Sequence, residues 1–148
     1  MYANRRVALR WVASLVLLAW AASAAEPGRP TPEVEGAAIR DIIGRQVAAF
    51  RRDDAESAFA LATPRVRRQF GDAANFIVMV RDGYAAVYRP REFAFGGLKV
   101  EGEEAVQEVH VTGPDGAPAT AVYLMQRQGD GGWRIDGCVL TPPTQTRT

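Results

Sequence analysis

Residues 84–101 read YAAVYRPREFAFGGLKVE, and the fold turns on what changes across Pro90. Before it, apolar residues recur every three or four positions, as on one face of a helix. After it they alternate, as on one face of a strand, with Phe93 and Phe95 on the same side. The proline biases Arg89 toward extended backbone, so the helical half of the chain closes there. Gly96-Gly97 permits a bend or bulge, and Leu98 to Glu101 continues the strand.

Upstream, Thr31-Pro32 places a capping hydroxyl before a proline at the first helical position, and Glu33 and Glu35 sit where the helix dipole favours acids. Ile39, Ile42, Ile43, Val47 and Phe50 form an apolar stripe reaching about Arg52, while Arg40, Asp41 and Arg45 take the other face. Asp53-Asp54 caps a short second helix through Phe59 and Leu61. Thr63-Pro64 opens a third that ends at Gly71, and Asp72 caps a fourth with Phe76, Met79, Val80 and Tyr84 on one side; Gly83 marks its end or a kink.

Downstream, strands are expected over about residues 105–112, 120–127 and 133–140, joined through Pro114-Asp115-Gly116 and through Gly129 to Gly132. Such short connections make neighbouring strands antiparallel. The segment TAVYLMQ from Thr120 is apolar on both faces and reads as a central strand, whereas Glu103, Glu104 and Glu108 suit a more exposed stretch. Helices followed by strands define an α+β class, with N-terminal helices packed on one face of a curved antiparallel sheet of about four strands. Both periods then agree on one core: Ile39, Ile43, Val47, Phe50, Phe59, Phe76 and Val80 from the helices, and Phe93, Val109, Val122, Leu124, Trp133 and Ile135 from the strands.

The first 24 residues read as an export signal. Arg5, Arg6 and Arg10 precede the uncharged run Trp11 to Ala22, and Ala22-Ser23-Ala24 offers a signal-peptidase pattern. The run is shorter than the roughly 20 residues that a spanning helix needs, which disfavours the alternative of an uncleaved anchor. Residues 25–32 form a flexible lead-in, 33–140 a single α+β domain and 141–148 a disordered tail. The expected location is periplasmic or secreted, with no membrane attachment after cleavage.

Composition narrows the function classes. Among 148 residues, 47% hydrophobic and 24% charged, there is one Cys and one His, so neither an internal disulfide nor a structural zinc site can be assembled. The chain after Ala24 carries a formal charge of −2, which removes the simplest electrostatic case for nucleic acid. No phosphate-cradling glycine loop is present, Ser57 lacks a nucleophile-elbow pattern, and Asp53, Asp54 and Glu56 are explained by a helix cap; no cofactor or metal is expected. Arg65, Arg67 and Arg68 cluster on the third helix, as a solvated face or as a contact for an acidic partner.

The stretches QVAAFRRDDAESAFALATPRVRRQFG (46–71), FIVMVRDGYAAVYRP (76–90) and GGWRIDGCVL (131–140) resemble the bacterial domain-of-unknown-function family 4864. The order of helices then sheet is similar to the cone-shaped nuclear transport factor 2-like superfamily. That resemblance implies a pocket between helices and a curved sheet, and a homodimer through the sheet as one mode of association. It implies no single activity, because this fold hosts isomerases, dehydratases, binders and scaffolds.

Cone-fold enzymes place acid–base groups inside the cavity, and the titratable groups available here include His110 and Asp136. Strand alternation sets His110 beside Glu108 and Thr112, opposite Val109 and Val111, a solvent-facing position. Asp136 shares a face with Arg134, either as a structural pair or as a carboxylate poised in a pocket. Gly137 and Cys138 suit close packing of a helix, with Cys138 a small buried residue. Tyr84 and Tyr88, four apart, either line a pocket or close the core with their hydroxyls at the rim. Tyr84, Tyr88, Arg89, Tyr123 and Trp133 are the candidate ligand contacts. The chain thus reads as a non-enzymatic module binding a small molecule or an envelope protein, with an acid–base lyase or isomerase using Asp136 or His110 as the alternative.

Overall fold

The helix opened by Thr31-Pro32 runs over Pro32–Arg51 (α1) in the computed structural model, which describes residues 28–142. The leader and the tail beyond 142 lie outside the described residues. Thr31 Oγ1 accepts the Val34 N–H at 3.4 Å, satisfying one of the donors that a helix start leaves open. Ile39, Ile43, Val47 and Phe50 are buried along one side of α1, and burial on this scale is worth about 1.5–3 kcal/mol for each large side chain.

Three further caps fall where the sequence sets them. Asp54 accepts the Ser57 N–H at the start of Ala55–Ala60 (α2), Thr63 caps Pro64–Phe70 (α3), and Asp72 accepts the Asn75 N–H at 2.8 Å to open Ala73–Gly83 (α4). A fifth, single-turn helix, Ala85–Tyr88 (α5), was not expected. It arises because Tyr84 leaves helical geometry (φ −135°, ψ 45°) right after Gly83. Tyr84 and Tyr88 therefore do not share one continuous helical face.

The second half forms Glu92–Glu101 (β1), Glu104–Thr112 (β2), Pro118–Arg127 (β3) and Trp133–Thr141 (β4), paired antiparallel in the order β1-β2-β3-β4. Two bulges bend this sheet. In β1 the pairing slips between Phe95 and Leu98, so that Gly96 and Gly97 together stand opposite the single residue Glu108 of β2. The side chain of Gln107, fully buried, donates to the Gly96 and Gly97 carbonyls at 3.1 and 3.2 Å and so satisfies acceptors that the bulge takes out of the ladder. A Cβ on Gly96 would come within 2.6 Å of His110 Nε2, the tip of an exposed side chain that would have to swing aside. In β4, Met125 pairs with Ile135 but Leu124 with Gly137, so Asp136 is the extra residue.

Helices cover one face of the sheet, and the registry decides which strand residues meet them. Val109 pairs with Ala121, and cross-strand partners share a face; Ala121, Tyr123 and Met125 are therefore buried, while Leu124 is 40% exposed on the far side. This corrects the expectation that Val122 and Leu124 belong to the core. With apolar residues at both parities of β3, alternation alone could not choose between the faces. Phe59 and Phe93 pack against the core only partly buried.

Two long-range links fasten the layers. The linker between α2 and α3 runs beside β4: the Ile135 N–H donates to Leu61 O and the Thr63 N–H to Ile135 O, each at 2.9 Å. At the other end, the largely buried Glu35 in the first turn of α1 pairs with Arg127 at the end of β3, whose guanidinium lies 4.6 Å from the centre of the Trp133 ring. Among the described residues no helix is long and apolar enough to cross a membrane.

Candidate functional site

Between the helices and the covered face of the sheet lies a cavity of about 210 Å³. Its walls come from Phe50 on α1, Phe76 and Val80 on α4, and Tyr123 and Ile135 on β3 and β4, the same apolar side chains that build the core. Polar groups enter it at two depths, and each is placed by an identifiable backbone feature.

At the rim, the β4 bulge turns Asp136 toward the start of α3. Its Oδ1 accepts the Thr63 hydroxyl at 2.7 Å and Arg65 Nε at 3.1 Å, and Arg65 also donates to the Asp136 carbonyl. Thr63 is held beside it by the strand-like pairing of its own N–H with Ile135. The pair remains partly solvated, with the Arg65 side chain 59% exposed and that of Asp136 26% exposed. The sequence expectation that Asp136 shares a face with Arg134 fails for a geometric reason: the bulge breaks alternation at residue 136. Arg134 instead donates to the Trp133 carbonyl at 2.8 Å.

At depth, Tyr123 is fully buried and its hydroxyl has no hydrogen-bond partner. Cys138 stands opposite it across β3 and β4 and also lines the cavity. Burial raises the Tyr123 phenol well above its ordinary value, the nearby Cys138 adding to the effect, and burial pushes the Cys138 thiol up to about 12. Both groups are held neutral at physiological pH, which keeps the thiol out of its nucleophilic thiolate form. The missing side chain of Gly137 faces Leu124 on the far side of the sheet at ordinary contact distance, not a helix.

The other sequence candidates separate. Tyr84, at the break between α4 and α5, lines the cavity; Tyr88, Arg89 and Trp133 are not among its lining residues. Tyr88 donates its hydroxyl to Asp53, Arg89 donates to the same carboxylate at 2.7 Å and to the Phe50 carbonyl, and its guanidinium lies 4.3 Å from the centre of the Tyr88 ring. These bonds, Tyr88 first and Arg89 second, hold Asp53 below the usual carboxylate range, and the same contact raises the Tyr88 phenol. Asp53 is the one non-glycine described residue at positive φ (54°), so the cluster fixes the sharp turn between α1 and α2. Trp133 is a core residue under Arg127. His110 is exposed on the face away from the helices. Neither His110 nor Asp136 is hydrogen-bonded to a tyrosine, and no group of three or more potential metal ligands converges among the described residues.

Arg65 and Gln46 line the cavity, and Thr63 holds Asp136 at its rim, although the sequence marks them only as a surface cation, a residue of the first helix and a cap. The available signal for Thr63 is its place at a helix start, but joining it to Asp136 requires the strand-like pairing of the linker with Ile135.

Helices laid on a bent four-stranded antiparallel sheet around a cavity give the chain a nuclear transport factor 2-like fold. An NTF-2 like protein of unknown function from Silicibacter pomeroyi superposes with a TM-score of 0.55 at 20% identity, over 76% of this chain and 98% of its own. The chain belongs to the domain-of-unknown-function family DUF4864, whose model matches residues 32–148. An NTF-2 like protein of unknown function from Burkholderia xenovorans (15% identity, TM-score 0.49, 76% of this chain and 89% of its own) and Aln2 from a Streptomyces species (17%, 0.47, 76% and 93%) are similar more distantly. No curated protein matches the chain.

Proposed function

We propose that the protein is an exported, non-enzymatic binding module whose cavity takes up a small molecule. The observation that carries this reading is Tyr123, a residue of the cavity wall whose fully buried hydroxyl has no hydrogen-bond partner. A buried tyrosine normally finds a hydrogen-bond partner, and a bound molecule can supply one. The basic leader, the apolar run and Ala22-Ser23-Ala24 support export to the periplasm or beyond. Asp136 is engaged by Thr63 and Arg65, an arrangement that favours a rim-stabilising ion pair over a free general base.

A ligand that prefers the native state must raise its melting point. At a hundredfold excess over Kd a cavity ligand stabilises by about 2.7 kcal/mol, or about 10 °C in a domain of this size. Melts against a panel of small acids and apolar ring compounds should show such a shift, and Val80→Phe, which fills the cavity, should abolish it. A panel that shifts both proteins equally places binding elsewhere.

A second reading, self-association through the sheet, is favoured by Val106, Leu124 and Val139, 38%, 40% and 50% exposed on the face away from the helices. Light scattering should then give a dimer mass that Val139→Asp reduces to the monomer's. A monomer at all concentrations excludes it.

A further inference from the structure

We propose that the cavity ligand is a neutral, ring-sized molecule bearing a hydrogen-bond-accepting oxygen, which seats on the Tyr123 hydroxyl. The inference rests on the cavity-binding reading and adds the chemistry of what binds.

Size comes first. A buried apolar cavity of about 150 Å³ is enough to hold benzene in another protein. The cavity here, about 210 Å³, has room for one six-membered ring with a short substituent. Phe50, Phe76, Val80 and Ile135 present hydrocarbon to such a ring; of the polar wall residues, Gln46 is bonded to the Ala58 carbonyl and Asp136 to Thr63 and Arg65, whereas the Tyr123 hydroxyl has no partner.

Charge comes second. Arg65 and Asp136 are the only ionic side chains on the cavity wall among the described residues; they neutralise each other, and they sit at the solvated rim. Tyr123 and Cys138, at depth, are both held neutral by burial. An anion carried down to Tyr123 would lose its hydration and meet no cation, a loss that one phenolic hydrogen bond does not offset.

Polarity of the contact comes third. The Tyr123 O–H is a donor with no acceptor in the protein, while the hydroxyl's own lone pairs tolerate being unused more readily than its proton does. A ketone, aldehyde or similar oxygen on the ring satisfies it. Sites that present an unpaired buried donor discriminate strongly against analogues lacking the matching atom.

Titration calorimetry of the purified protein with acetophenone, ethylbenzene and benzoate separates the possibilities. Acetophenone should bind about tenfold more tightly than ethylbenzene, the worth of one net hydrogen bond, with benzoate weakest. Tyr123→Phe should erase the advantage of acetophenone and leave ethylbenzene unchanged. The methyl resonance of Met79, another wall residue, should shift with each binder and reads occupancy without any variant. Equal affinities for acetophenone and ethylbenzene, or tightest binding of benzoate, would overturn the neutral-oxygen assignment while leaving cavity binding intact. Failure of all three to move Met79 would remove both.

Discussion

Replacing Phe50 by Ala lowers the stability of the fold by about 3–5 kcal/mol, the range for truncating a buried aromatic to its Cβ. Phe50 is 1% exposed and its ring stands 6.1 Å from that of Phe76 and 5.8 Å from that of Tyr88, centre to centre. It also forms a wall of the existing cavity, so the vacated space joins a void that the structure already sustains instead of collapsing. The upper part of the range is therefore expected. A domain of this length has only about 5–15 kcal/mol in total, so the melting point should fall by about 12–20 °C. Urea denaturation should show the midpoint moving with the slope unchanged. A loss under 1 kcal/mol would mean that the helices settle onto the sheet without this ring.

Arg127→Leu should destabilise by about 3 kcal/mol, chiefly because it strands Glu35. The two side chains are 10% and 13% exposed, so a lone carboxylate at Glu35 has little water to turn to. Glu103, also 3.4 Å from Arg127 but 67% exposed, loses a contact of small value. Adding Glu35→Leu to Arg127→Leu should restore stability to within about 1 kcal/mol of the natural protein, since two well-packed aliphatics replace a desolvated pair at little net cost. The residual deficit reports the Arg127–Trp133 stacking. A double variant as unstable as the single one would show that Arg127 acts through packing on Trp133 and not through Glu35.

The helix starts were legible because a cap is a local event. Thr31, Asp54, Thr63 and Asp72 each bond a backbone N–H three residues ahead, and nothing distant has to be known to place them. The change of period at Pro90 likewise gave the order of layers, and Gly96-Gly97 gave one bulge. The phase of β3 was not legible, since Val122 and Leu124 are as apolar as Ala121 and Met125 and only pairing with Val109 selects a face. The second bulge, at Asp136, has no glycine at the extra residue to announce it. That one displacement moves Asp136 from the side of Arg134 to Thr63 and Arg65, residues 73 and 71 positions away. The candidate site was accordingly half visible: Tyr84, Tyr123 and Asp136 line the cavity, whereas Tyr88 and Arg89 clamp the Asp53 turn.

Because Leu61 to Thr63 run alongside Ile135, the free edge of β4 is occupied near its start. Among the described residues β1 keeps the longer unbroken row of backbone groups open to an incoming chain. There the Gly96 and Gly97 carbonyls are turned inward to Gln107, and Lys99 and Glu101, each 74% exposed, put charge along the margin. Runaway strand-by-strand templating, the route by which exposed margins seed fibrils, thus meets a plugged rim on one side and a kinked, ionic one on the other.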